Sequence, residues 1–236
     1  MTYATDAGFH VVENFVSNDS VADANVGDKN WEIEIISAGA DTLSYGTEQG
    51  ESYLRMTGAG GGAADGSVLS LADDSVSVNQ YGGFIKCRFR IPSITGNVLA
   101  GNLGRIGLTD VVTTAEPVVG IWFDWTTAGV LSFDSASANG DVSTAFSAPS
   151  LTSNTTLVLG TTYDVEMRWS GNNGNTDPGP DTLHCWINGE LAGSQVGTVL
   201  LDGAETMEPK IAHWTDGATT LELDVFSFEA KSNLAR

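Results

Sequence analysis

Two carboxylates set two residues apart are the first candidates for chemistry. In Leu221-Glu-Leu-Asp-Val-Phe-Ser-Phe228, Glu222 and Asp224 fall on one side of an alternating strand, where same-face neighbours lie about 6.7 Å apart. That approaches the separation at which one carboxyl group protonates a glycosidic oxygen while the other attacks the sugar. Such a pair needs one member held in a partly apolar pocket so that it keeps its proton. The alternation here reads instead as a solvated strand face. No catalytic residue is assigned, and the protein is expected not to be an enzyme.

Other reactive constellations are sparse. His10, His184 and His213 are too scattered to suggest a zinc site, and no metal ligand is assigned. The chain has no Gly-x-Ser-x-Gly and no phosphate loop; Gly58–Gly62 is glycine-rich but lacks the lysine such a loop requires. The stretch Asn172–Asp181 offers oxygen ligands for calcium without the ordered acidic spacing of a dedicated loop. It reads as a hairpin loop with polar caps. No cofactor is expected, and calcium is weighed for this loop but not assigned.

Binding chemistry is better represented. Trp122 and Asp124 share one face of Val118–Trp125, while His184, Trp186 and Asn188 share the face opposite Cys185. If both stretches point to one concave sheet, these five residues form a shallow glycan site of indole faces flanked by polar groups; the alternative is that loops cover them. Lys86, Arg88 and Arg90 line one face of one strand. They are candidates for contact with an acidic partner, or for cross-strand pairing with Asp164 and Glu166. Phe9 and Phe15 lie in a weakly patterned segment, residues 1–30, that is expected to be an arm on a partner or a first strand on the protein's own sheet.

The elements that must position these groups are strands. Trp31, Ile33 and Ile35 alternate with Glu32 and Glu34, and Tyr163, Val165, Met167 and Trp169 alternate with Asp164, Glu166 and Arg168. Strands with one buried and one wet face belong to antiparallel sheets. Asn188-Gly189 and Asp216-Gly217 are two-residue hairpin signals. Gly58–Gly66 reads as a flexible loop. Many short strands between Gly and Asn turns predict an all-β, two-sheet antiparallel sandwich. It is expected to be one domain over 31–236, preceded by the 1–30 segment. Cys87 and Cys185 each alternate with apolar neighbours, so both are expected in the core as free thiols.

Charge narrows the partners. Across 236 residues, 30 acidic side chains face 10 basic ones, a formal net charge of −20. That is about one excess negative charge per 500 Å² of folded surface, which repels nucleic acid and anionic membranes. No apolar run reaches the roughly 18 residues of a spanning helix. The opening Met1-Thr-Tyr-Ala-Thr-Asp6 has neither a basic nor an apolar stretch, so no secretory signal is expected.

Four pieces then fall in a familiar order: Gly83-Phe-Ile-Lys-Cys-Arg-Phe-Arg-Ile91; Val119-Gly-Ile-Trp-Phe-Asp-Trp125 with Val130-Leu-Ser-Phe133; Tyr163-Asp-Val-Glu-Met-Arg-Trp169 followed by Leu183-His-Cys-Trp-Ile-Asn-Gly189; and the closing strand Leu221–Phe228. Over residues 30–230 the chain resembles the concanavalin A-like lectin/glucanase jelly roll, which includes laminin-G-like domains. The resemblance implies two antiparallel sheets of six or seven strands, one concave and one convex. Glucanases of this fold carry a second glutamate after a Glu-x-Asp pair; here Phe226 or Ser227 stands in its place. The chain's texture also resembles phage virion proteins. That resemblance implies a non-enzymatic capsid decoration (cement) or tail-associated protein, found in the virion and assembled in the host cytoplasm. Its expected partners are the major capsid protein or other virion subunits, and itself as a homo-oligomer, with a trimer favoured. The alternative is a carbohydrate-binding, lectin-like module that contacts surface glycans.

Overall fold

A computed structural model of the chain describes residues 9–15, 26, 31–35, 41–60, 62–71, 76–77, 82–110, 117, 119–136, 156–170, 182–196, 206–217 and 219–232. Alternating apolar residues build two antiparallel sheets with the core between them. One sheet runs β13 (Glu190–Val196), β12 (Thr182–Ile187), β11 (Thr162–Ser170), β7 (Gly83–Arg90), β15 (Leu221–Ser232), β4 (Glu51–Gly58) and β3 (Thr42–Glu48), with β1 (Phe9–Glu13) as an eighth strand paired to β15. The other runs β10 (Leu131–Ala136), β9 (Gly120–Trp125), β8 (Asn102–Thr109), β14 (Thr206–Gly217), β5 (Gly62–Ser70) and β2 (Glu32–Ile35), with β6 (Val76–Ser77) on β14. Each main path has the six or seven strands the sequence implies, and each carries one short addition. The described residues contain no helix.

The inner layer is made by the predicted alternation. Ile85, Cys87 and Phe89 on β7 meet Val165 and Met167 on β11 and Leu223, Val225 and Phe228 on β15, all buried. Phe89 stacks on Trp125 of the opposing sheet at 5.1 Å between ring centres, and Trp31 meets Phe228 edge-on at 5.3 Å. Each fully buried side chain of this size contributes about 1.5–3 kcal/mol. Cys87 and Cys185 are both buried and free, and burial raises both thiol pKa values.

Two local expectations change. Gly58–Gly66 is not a loop throughout, because β5 begins at Gly62 and pairs with β14. Asp216-Gly217 closes no hairpin: β14 and β15 lie in different sheets, and the chain crosses between them there. Asn188-Gly189 does form the predicted tight turn, with φ of 52° and 81°. Of the two places expected for the segment around Phe9 and Phe15, residues 9–13 take the second, a strand on the protein's own sheet. Phe9↔Ser232 through Glu13↔Phe228 pair β1 with β15, and Phe15 is fully buried against Trp31. Phe15 is therefore not available to a partner, and Phe9 packs partly buried on the chain's own core.

Candidate functional site

The outward face of the eight-stranded sheet concentrates the chain's cations. Arg55, Lys86, Arg88, Arg90, Arg168 and Lys231, six of the ten Lys and Arg, lie on it. Register arranges them in rows across the strands. One row is Arg90–Asp224–Arg55, on β7, β15 and β4. The next inward from it is Asp164–Arg88–Ser227, followed by Trp186–Glu166–Lys86–Glu229–Val12, then His184–Arg168–Phe84–Lys231–His10. A bulge at β15 makes this possible. Val225 opposes Phe89 and Ser227 opposes Arg88, so Phe226 is the extra residue and the inward parity of β15 changes there.

Asp224 is fully buried and takes both guanidinium groups. Arg55 donates from Nε and Nη2 at 2.6 and 3.0 Å, and Arg90 donates from Nη2 at 2.6 Å. Arg90 also pairs with Glu48 at 2.6 Å. The Glu222 carboxylate lies 2.9 Å from Arg55 Nη1 without hydrogen-bond alignment, and burial pushes its pKa up. The hydrogen bond to Asp224, against the opposing effect of burial, raises the Arg55 pKa. Tyr53 and Phe226 lie under these cations, with ring centres 5.2–5.7 Å from the guanidinium carbons. Glu222 and Asp224 therefore do not form a solvated face. They anchor a half-buried ionic row, and both carboxylate oxygens of Asp224 accept from guanidinium groups.

Farther along the face the strands form an open groove of about 590 Å³. Its walls alternate in charge: Lys86 pairs with Glu166 at 3.3 Å and Arg88 with Asp164 at 3.8 Å, while Arg88 also meets Glu51 beyond the groove at 3.0 Å. The basic stripe Lys86, Arg88, Arg90 is thus paired within the chain. Trp186 lines the groove, half-buried, with the Arg168 guanidinium 5.2 Å from its ring centre; Arg168 Nε donates to Glu166. A second depression of about 430 Å³ adjoins it and shares Arg168 and Trp186.

The five residues expected to share one glycan face are divided. His184 and Trp186 lie on this sheet, with Asn188 in the turn that follows β12, where its side chain accepts from Asp164 N at 2.9 Å. Trp122 and Asp124 lie on β9 in the other sheet. Trp122 is 1% exposed, donates to Asp124 Oδ2 at 3.3 Å, and sits under Arg105 at 5.6 Å. They belong to no site with Trp186. The histidines are also apart: His10 is exposed on β1, His184 is on the outer face, and His213 is fully buried in the core on β14. Among the described residues no three metal-ligating side chains gather at one point. The Asn172–Asp181 loop lies outside the described residues. Sequence reasoning missed Arg168, Phe84 and Lys231 as a group, because only cross-strand register brings them together.

Comparison with known proteins bears on the fold. No family profile and no curated protein matches the sequence. Solved structures do. The carbohydrate recognition domain of Emp47p superposes with a TM-score of 0.56 at 9% identity, covering 98% of this chain and 97% of that one. The endo-β-1,4-glucuronan lyase of Trichoderma reesei gives 0.57 at 10% identity, with 96% of each chain covered. The alginate lyase vAL-1 from Chlorella virus gives 0.56 at 10%, over 86% of this chain and 93% of that one. The fold is the concanavalin A-like jelly roll.

The expectation that the protein is not an enzyme is overturned on the same comparison. Structures that share this fold over most of the chain include polysaccharide lyases, so the fold accommodates catalysis. The missing second glutamate bears only on hydrolysis by paired carboxylates.

Proposed function

We propose that this protein binds carbohydrate in the groove on the outer face of the eight-stranded sheet. The observation that carries the reading is Trp186: a half-buried indole held by Arg168 in an open groove whose walls alternate between donors and acceptors. Sugar rings present C–H faces to an aromatic ring and hydroxyls to polar side chains, and the groove's size suits an oligosaccharide segment. The carbohydrate recognition domain of Emp47p supports the reading by likeness of fold.

A second reading, cleavage of an acidic polysaccharide, is favoured by likeness of fold to alginate and glucuronan lyases and by cations set beside carboxylates in the same groove. The virion-decoration reading rests on the texture of the sequence. With Phe15 buried and β1 on its own sheet, the argument for a docking arm no longer supports it. The test is titration with a panel of neutral and acidic oligosaccharides, read by calorimetry and tryptophan fluorescence. Trp186→Ala is expected to weaken binding roughly tenfold or more. Absence of binding to every glycan, or equal binding by the variant, refutes the proposal. Appearance of the ultraviolet-absorbing C4–C5 double bond in the acidic arm establishes the second reading.

A further inference from the structure

Among the rows on this face, the one across His184, Arg168, Phe84, Lys231 and His10 contains no acidic residue. That is unexpected in a chain with three acidic side chains for every basic one. Its two permanent charges, Arg168 and Lys231, flank Phe84 on either side. Two of the row's basic groups are answered from the neighbouring row. Arg168 donates to Glu166, and His10 lies 3.0 Å from Glu229. Lys231 is not answered. Of the six Lys and Arg on this face it alone forms no ion pair among the described residues.

Lys231 lines the 430 Å³ depression with Arg168, His184, Phe84 and Trp186, and no described residue of its lining is acidic. Trp169 points inward, buried in the core beneath Gly83, and forms the floor at one end. The depression therefore offers an ammonium that no described residue pairs, a guanidinium, an imidazole and two aromatic rings, and it opens beside the groove at Arg168 and Trp186.

We infer that this depression is a subsite for a sugar residue bearing an anionic substituent, a carboxylate or a sulfate ester, with Lys231 as its counter-ion. The inference rests on the carbohydrate-binding reading and names the substrate class for it. The ring packs on Phe84 and Trp186 while the anion meets Lys231 and Arg168, and the adjoining groove takes the next residues of the chain.

The experiment is calorimetry with three sets of oligosaccharides of matched length, neutral, carboxylated and sulfated, against the full chain and its Lys231→Gln and Lys231→Arg variants. The wild type is expected to prefer one anionic set over the neutral set by roughly tenfold. Lys231→Gln should abolish that preference while leaving neutral binding in place, and Lys231→Arg should retain it. The preferred set identifies the anion as carboxylate or sulfate. Equal affinity for all three sets overturns the inference and leaves carbohydrate binding standing, as does an anionic preference that survives in Lys231→Gln. Binding to none of the three overturns both.

Discussion

Lowering the pH should destabilise this protein through a single histidine. His213 is fully buried on β14, opposite Gly104 on β8 and Ser67 on β5. Among the described residues neither ring nitrogen has a hydrogen-bond partner, and burial pushes its pKa down to about 3 from an ordinary 6.5. Between those values the unfolded chain binds a proton that the folded chain refuses, so stability rises with pH. The contribution is complete above about pH 6.5 and is lost as pH falls towards 3, at up to about 1.4 kcal/mol per unit. From pH 7.5 to 5, before most carboxylates protonate, the loss amounts to about 2 kcal/mol. Urea unfolding at half-unit intervals measures it. His213→Leu, which replaces an unpartnered imidazole with an apolar group, should be neutral or stabilising at pH 7.5. Its pH curve subtracts every other titrating group. Parallel curves for the two proteins, or a folded-state His213 resonance that titrates near 6.5, would refute the reasoning.

Two further outcomes follow from the packing. Asp224→Asn leaves Arg55 and Arg90 competing for a neutral amide in a half-buried site, and should cost about 3–5 kcal/mol in urea unfolding; a loss below about 1 kcal/mol means water already serves those guanidiniums. Deleting residues 1–15 removes β1 with Val11 and Phe15, at a cost of about 3–6 kcal/mol for the two side chains, and a truncated chain with unchanged thermal midpoint would show that this burial contributes nothing.

The strands were legible because their faces differ: Tyr163, Val165, Met167 and Trp169 point inward and Asp164, Glu166 and Arg168 outward, and the sandwich holds them so. Period-two alternation fixes the face of a residue but not the sheet it belongs to. Trp122-x-Asp124 and His184-x-Trp186 therefore looked like one site and lie on two sheets. It is also silent where both faces are apolar. Val225-Phe226 hides a bulge, and Ile211-Ala212-His213-Trp214 gives no sign that the imidazole and not the indole points into the main core. Charges mislead in a similar way: Glu222 and Asp224 looked solvated because their partners, Arg55 and Arg90, come from strands remote in sequence. The subsite around Lys231 needed the register of five strands.

Asp224 meets Arg90 across 134 residues of chain and Arg55 across 169. Its charge is neutralised only when β4, β7 and β15 already lie side by side in the correct alignment. A one-residue slip of β15 would carry Glu222 and Asp224 into the apolar interior and turn Leu223 and Val225 to water. The row thus proofreads the assembly of the sheet, admitting one alignment and penalising its nearest competitors. Contacts this distant form slowly, and until they do the carboxylates and guanidiniums remain hydrated on the faces of incomplete strands. Exposed charge of that kind discourages edge-to-edge pairing between molecules. The same residues that fasten the finished sheet keep the unfinished one from joining its neighbours.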